Sequence, residues 1–361
     1  MRQPGWDRLT VMVVEDNRFM RELLCSTLTA LGIENVIAED DGASAIRRLK
    51  LSRTNPKAAG LGTVDIILAD YLMPVVDGIL LLRWLRTGTG VPDRFVPLIM
   101  VSGAADREVV EAARDAGVTE FLAKPYSARA LADRLLMVIN QPRHYILAPG
   151  YFGPDRRRMA VPVEKDRRSD DASGVQIIHK ASNEKTLRED VRAIQFRIGN
   201  RLRDKLGANL MKGELDIDPA FVRAAEERIR SFFGDYADWV ERHIRSMVDS
   251  RNALATGEGD AATHIANINA IAHELRGQSG IFDYPLITQI AKSLYEATTS
   301  TSVEVNGAWI ELIGAHIDTI RAVFSDKISG TGGEVGAALL REMEVAVKKF
   351  AGTQPGKSER R

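Results

Sequence analysis

Between residues 10 and 139, short apolar runs alternate with amphipathic stretches. The run at 10–14 (TVMVV) precedes a helical pattern at 18–31, and the run at 36–38 precedes one at 43–51. The pairing repeats with 66–69 before 79–86, 98–101 before 108–116, and 120–123 before 128–139. Such short, uniformly apolar runs are strands buried on both faces, and the stretches between them carry a single apolar stripe of helical period. Five β then α units predict a parallel sheet covered by helices on both sides.

The polar stretch 52–63 (SRTNPKAAGLGT) is a loop before the third strand. Residues 141–174 collect Pro142, Pro149, Gly150, Gly153, Pro154 and Pro162 with the charged runs DRRR and KDRRSDD, a composition that cannot bury a core. From about Glu184 the period is helical throughout, giving helices at 184–206, 219–254, 260–279, 284–298, 308–325 and 336–350. Asp218 before Pro219 is an N-cap followed by proline at the first helical position. Gly257, Gly259 and Gly280 stand where helices end. The four helices from 219 to 325, joined by short loops, predict an antiparallel four-helix bundle. The expected organisation is an α/β domain at 9–140, a flexible charged linker at 141–183, a linker helix at 184–214, the bundle at 215–328, and a C-terminal helix with a disordered tail at 329–361.

Composition narrows the function. A chain of 361 residues with 45% hydrophobic content holds two or three compact domains. Lys plus Arg and Asp plus Glu both total 49, so no charge excess points to nucleic acid or an anionic membrane. Cys25 is the only cysteine, which excludes intramolecular disulfides and thiolate clusters and fits a reducing cytosol. No stretch approaches the roughly 20 apolar residues that span a bilayer, and MRQPGWDRLT lacks an apolar signal region, so a soluble cytoplasmic protein is expected. The histidines at 144, 179, 243, 264, 273 and 316 form no metal-ligand spacing.

In a parallel α/β sheet, ligands gather at the carboxyl ends of the strands. Glu15 and Asp16 follow VMVV, Asp70 follows DIILA, Ser102 follows LIMV and Lys124 follows EFLA. Separate strands thus deliver three carboxylates, a hydroxyl and an ammonium to one rim. Clustered carboxylates repel unless a cation is present. Mg²⁺, which takes oxygen ligands and binds through a few carboxylates plus a phosphate oxygen, suits the set. Asp70 is then the nucleophile, with Lys124 neutralising a transferred phosphoryl group and Ser102 donating a hydrogen bond to it.

These residues resemble the receiver domain of two-component response regulators over 9–140. The pair Glu15-Asp16, the stretch from Asp70 to Pro74 with Asp77-Gly78, the IMVSG holding Ser102, and Lys124-Pro125 fall in the family's order. The resemblance implies a flavodoxin-like fold with strand order 2-1-3-4-5 and Mg²⁺ at Glu15, Asp16, Asp70 and the backbone carbonyl of Leu72. It further implies phosphorylation of Asp70 and a switch formed by Ser102 and Phe121. Phe121 lacks the tyrosine hydroxyl of many receivers. Leu72 and Ala104, two past the acceptor and two past the switch hydroxyl, cannot orient a water, which implies slow loss of the phosphoryl group.

In the helix at 260–279, Ile268, Ile271, Ala272 and Leu275 form the apolar stripe and His273 falls off it. Arg276 stands three residues on and Gly277 four. A glycine there costs about 1 kcal/mol of helix propensity, and the absent side chain opens the imidazole to another protein's acidic site. Neutral histidine is a nucleophile near pH 7. AHELRGQSG resembles the core motif of histidine phosphotransfer (HPt) domains, with Arg276 for the commoner lysine. The likeness over 215–328 implies a four-helix bundle with a solvent-exposed phosphohistidine at His273. His264 and His316 read as surface or packing residues.

The basic residues at 188–205 interleave with acidic ones and no helix-turn-helix follows, so no nucleic acid is expected as a partner. ATP-binding glycine motifs are absent, so the kinase is a separate protein. The leading expectation is a phosphorelay protein rather than an enzyme, with a sensor or hybrid histidine kinase, other receiver or HPt proteins and a second copy of the chain, as a homodimer, for candidate partners. The alternative keeps the receiver and treats the helical half as a binding or dimerisation module with an inert His273. An aspartyl-phosphate hydrolase fits worse, because Leu72 stands where such enzymes carry a second acid.

Overall fold

The computed structural model describes residues 4–54, 63–103, 107–156, 175–179, 194–207, 213–299 and 305–353. It divides into two compact units, residues 1–229 and 230–361. The first opens with β1 (Thr10–Val14), α1 (Arg18–Ala30), β2 (Asn35–Glu39), α2 (Gly42–Thr54), β3 (Ile66–Asp70) and α3 (Gly78–Thr87). It continues with β4 (Leu98–Ser102), α4 (Arg107–Ala116), β5 (Glu120–Ala123) and α5 (Ala128–Asn140). The five strands are parallel in the order β2-β1-β3-β4-β5. Every residue of β1, β3 and β4 is buried, which is why those strands read as unbroken apolar runs. Helices start where a side chain accepts from the free amides of the first turn: Asn17 from Met20, Asp77 from Leu80 and Ser127 from Ala130.

The segment expected to be a charged linker carries strands instead. β6 (Tyr145–Ala148), β7 (Tyr151–Pro154), β8 (Val175–His179) and β9 (Ile194–Ile198) form an antiparallel sheet in the order β7-β6-β9-β8. Pro149 and Gly150, within the expected linker, are the two-residue turn between β6 and β7, and Gly150 adopts the positive φ of 75° that a Pro-Gly turn requires. The expected linker helix at 184–214 is likewise replaced over its described part by β9 and the short helix α6 (Arg201–Lys205). In β9, Ile194, Phe196 and Ile198 alternate with Gln195 and Arg197, a period of two. The remainder of 157–193 outside β8 lies outside the described residues.

This second sheet is anchored on the first domain by aromatic contacts. Phe95 packs edge-on to Tyr145, Phe152 and Phe196. Beneath them lies Arg86, only 1% exposed, its guanidinium 5.3 Å from the Tyr145 ring centre. Arg86 donates to the carbonyls of Gly117, Arg94 and Val96 at 3.0, 2.7 and 2.9 Å. A buried guanidinium is tolerated because its donors are satisfied. The basic residues of α6 are also paired: Arg201 with Asp93 at 2.6 Å and Lys205 with Asp65 at 2.5 Å.

α7 (Pro219–Ser231) begins at the predicted cap, where Asp218 accepts from Ala220 at 2.8 Å. The expected single helix at 219–254 is two, α7 and α8 (Phe233–Thr256), parted at Phe232. The unit boundary falls within α7, whose Glu226 accepts from the Arg129 amide at 3.3 Å and whose Arg228 bonds Ser26. Most of α7 therefore belongs with the first unit, not with the bundle that 215–328 was expected to form.

The second unit continues with α9 (Ala261–Gln278), α10 (Pro285–Thr299), α11 (Gly307–Ser325) and α12 (Gly333–Thr353). α8 packs on α9 and α11, and α10 packs on α9 and α11, so these four close a ring. Their shared core holds Tyr236, Phe282 and Phe324, and the Tyr236 hydroxyl donates to Ser279 at 2.8 Å. Among the described residues, no helix is long and apolar enough to cross a membrane.

Candidate functional site

The strand register gathers the predicted rim. Val14 pairs with Glu39 and Ala69, Asp70 with Val101, and Ser102 with Ala123. The residues ending β1, β3, β4 and β5 thus lie side by side. Glu15, Asp16 and Asp70 each offer a carboxylate oxygen within 4.8 Å of the others. Lys124 reaches in from the end of β5, its Nζ 2.9 Å from Glu15 Oε2 and 3.3 Å from Asp70 Oδ2. Glu15, Asp70, Ser102 and Lys124 are buried, whereas Asp16 is exposed.

Burial and crowding set the charges. Burial, reinforced by Asp70, pushes the Glu15 carboxyl up to about 8 despite Lys124. Asp16 is raised by the same two causes in the same order. Burial opposes the charge on Lys124, but the Asp70 and Glu15 carboxylates outweigh it and hold its pKa above the ordinary lysine value. Three crowded carboxyl groups facing one ammonium resist ionising together, and a hard divalent cation would relieve that repulsion. The all-oxygen donor set fits such an ion, with Glu15, Asp16 and Asp70 as the residues able to hold it.

The backbone around Asp70 is tightly constrained. Its Oδ1 accepts from the Tyr71 amide at 2.8 Å, and the Gly78 amide donates to the Tyr71 carbonyl at 3.1 Å. A Cβ at Gly78 would lie 2.2 Å from the Asp70 carbonyl oxygen and 2.8 Å from Met100 Sδ, so only glycine fits where α3 starts. Arg21, one turn into α1, donates to the carbonyls of Glu15 and Asp16 at 2.6 and 3.2 Å and fixes the acidic loop. Arg21 escapes sequence reasoning because its spacing from Asp16 resembles any solvated helix face. Tyr126, buried beside Lys124 and Glu15, was also missed; burial raises its phenol.

Ser102 ends β4, which pairs with β3, the strand that Asp70 ends. Phe121 pairs with Met100 and is half-buried against the core of the α/β domain. Leu72 is 37% exposed in the loop after β3. Ala104 lies outside the described residues. A cavity of about 780 Å³ opens at the other end of the strands, lined by Val64, Asp65, Pro97, Thr119, Tyr145 and Lys205 among others; it contains none of the predicted site residues.

In the second unit, His273 is half-buried on α9, its ring 5.5 Å from that of Tyr295 on α10. The Arg276 guanidinium lies 4.8 Å from the same Tyr295 ring and is 6% exposed. Gly277, one turn on from His273, is buried. His264 bonds the Glu258 carbonyl at 3.1 Å. His316 is fully buried, its Nδ1 donating to the Leu312 carbonyl at 2.8 Å and its Nε2 2.9 Å from the Ser293 hydroxyl. Tyr295 was not predicted, since nothing local in the sequence of α10 marks it.

The fold and strand order define a flavodoxin-like α/β domain with an acidic rim, and residues 11–136 match the response regulator receiver domain. The chain belongs to the receiver family of two-component signalling through this domain. The chemotaxis protein CheY-3 of Vibrio cholerae is 30% identical over 127 residues, spanning 35% of this chain and 88% of the relative. The chemotaxis protein CheY of Pseudomonas aeruginosa is 29% identical over 127 residues, spanning 35% of this chain and 93% of the relative. Among solved structures, the receiver domain of a sensor histidine kinase from Pseudomonas aeruginosa, with a magnesium ion coordinated in its active-site cleft, is 30% identical. That match covers 36% of this chain and 94% of the other, with a TM-score of 0.29.

Proposed function

We propose that this protein is a two-component phosphorelay protein, phosphorylated on Asp70 by transfer from a phosphohistidine and exchanging phosphoryl groups through His273 of an HPt-like four-helix bundle. The observation that carries the first half is the placement of Lys124 Nζ 3.3 Å from Asp70 Oδ2, beside the carboxylates of Glu15 and Asp16. An Asp70 oxygen attacks phosphorus, the donor's P–N bond breaks, and the bonding pair leaves on the imidazole. Lys124 faces the oxygens of the arriving group and Ser102 donates to one of them. Glu15, Asp16, Asp70 and the Leu72 carbonyl would hold a Mg²⁺ ion, which would supply the remaining neutralisation of phosphoryl charge. Asp70 and Lys124 do this without nucleotide chemistry, so the partners are a sensor or hybrid histidine kinase and other receiver or HPt proteins.

The ring of four packed helices, with His273 and a basic neighbour on one of them, supports the second half. The reading in which the helical unit is only a binding or dimerisation module draws support from the half-covered His273 and the buried Gly277. Labelling with a phosphorylated kinase or relay partner separates the two. Phosphate should reach both Asp70 and His273 in the wild type, and an unchanged pattern in His273→Ala would leave the binding-module reading.

A further inference from the structure

We infer that Tyr295 is the positioning residue of the His273 site, holding Arg276 on its ring face so that an un-neutralised guanidinium stands beside the imidazole for the phosphoryl group. The inference rests on the relay reading of His273 and goes beyond it, because it assigns a role to a residue of α10.

Arg276 is 6% exposed, yet its Nε is buried with no hydrogen-bond partner. Among the described residues it has no carboxylate; what it has is the Tyr295 ring, 4.8 Å from the guanidinium carbon. A buried donor left unpaired is uncommon and costly, and demands an explanation such as a ligand that completes it. The ring explains how the cation is kept there, since a π face attracts a guanidinium while leaving its charge intact. A carboxylate in that place would cancel the charge and repel a phosphoryl dianion.

Tyr295 meets His273 as well, ring to ring at 5.5 Å with planes inclined by 54°. It is itself anchored: Asn269, one turn before His273, donates to the Tyr295 carbonyl at 3.2 Å and to the hydroxyls of Thr298 and Thr299 at 2.8 and 3.0 Å. One residue of α10 is therefore fixed by α9 and in turn holds the guanidinium on the ring that also meets the imidazole. In that transfer the lone pair of the neutral imidazole nitrogen forms the N–P bond, the donor's bond to phosphorus breaks, and its electron pair departs with the leaving group. The imidazole proton stays on the other ring nitrogen. The new phosphoryl oxygens supply the acceptor that Arg276 Nε lacks.

The test uses the full chain carrying Asp70→Ala, so that label can reside on His273, with phosphoramidate as donor and ammonia as the leaving group. Phosphohistidine formation is followed by ³¹P NMR in the parent and in Tyr295→Phe, Tyr295→Leu, Arg276→Ala and the Arg276→Ala/Tyr295→Leu double variant, each checked for helical content and melting. Tyr295→Phe keeps the ring and is expected to react within about twofold of the parent, whereas Tyr295→Leu slows by about tenfold. The double variant should be no slower than Arg276→Ala, as befits a residue acting through the guanidinium. An unaltered rate in Tyr295→Leu, equal loss in Tyr295→Phe, or additive losses in the double variant would each overturn the inference. A parent chain that takes no phosphate on His273 overturns the relay reading itself, and the inference with it. A labelled parent with an indifferent Tyr295 removes the inference alone.

Discussion

Lys124 sits 3.3 Å from Asp70 while holding Glu15 at 2.9 Å, so one buried ammonium serves two buried carboxylates from different strands. The arrangement crowds carboxyl groups around one ammonium, and that crowding governs both stability and chemistry. Replacing Lys124 by Met removes the cation that faces both carboxyl groups. Phosphorylation of Asp70 by acetyl phosphate should slow by about 100-fold, the usual cost of losing one charge-stabilising donor. The variant should also be less stable at neutral pH. Glu15, already held near 8 against an ordinary 4.5, is a raised carboxyl, so its contribution is fully present below 4.5 and lost as pH rises through the folded value. With Lys124 gone that loss deepens, and urea unfolding should show the deficit shrinking toward pH 5.

Magnesium should stabilise the protein by mass action, by about 2.7 kcal/mol at a concentration one hundred times its dissociation constant. Asp16→Asn relieves repulsion among the three carboxylates and removes a ligand. Its metal-free melting temperature should exceed that of the wild type, and added Mg²⁺ should then shift it little. Thermal melts with and without the ion check both, and a wild-type-sized magnesium shift in Asp16→Asn would remove Asp16 from the ligand set.

How far the molecule was legible from its residues depends on where the information lies. The receiver sheet could be read because β1, β3 and β4 are buried on both faces and so carry no polar interruption. Its acidic rim could be read because a parallel sheet brings strand ends together whatever the loops do. The hairpin at 145–154 was missed because Pro149 and Gly150 signal a break, and a break inside a linker looks like a turn inside a sheet. β9 is hard to read because its alternation of Ile194, Phe196 and Ile198 spans only five residues and lies among Arg197, Arg201 and Arg203, whose charge suits a solvated helix equally well. The contact of Tyr295 with His273 joins two helices 22 positions apart, and no local pattern encodes it.

Gly78→Ala drives a methyl to within 2.2 Å of the Asp70 carbonyl oxygen. The backbone must shift there, at a cost of about 1–3 kcal/mol for overpacking. Because the displaced atom belongs to Asp70, the proposed acceptor, phosphorylation should fall further than stability does. Chemical denaturation and acetyl phosphate labelling of the same preparation test the pair of effects; full labelling with normal stability would show that the loop can give way.

His316 should make the second unit sensitive to acid. Burial lowers its pKa below the ordinary 6.5, and the Leu312 carbonyl offsets this only in part. A depressed histidine binds fewer protons folded than unfolded, so stability is present above about 6.5 and declines as pH falls toward the folded value. His243 is lowered by burial too and adds to the slope. Urea titrations between pH 7.5 and 5 should show falling stability in the wild type and a flatter dependence in His316→Gln. Equal slopes would assign the acid sensitivity elsewhere.

The relay itself is tested most directly by the chemical lability of the phosphate the protein carries. Wild type, Asp70→Ala and His273→Ala are incubated with a radiolabelled phosphorylated relay partner and then split between acid and alkali. The wild type should hold two populations, an alkali-labile acyl phosphate missing from Asp70→Ala and an acid-labile phosphoramidate missing from His273→Ala. Persistent alkali-labile phosphate in Asp70→Ala, or acid-labile phosphate undiminished in His273→Ala, would contradict the account.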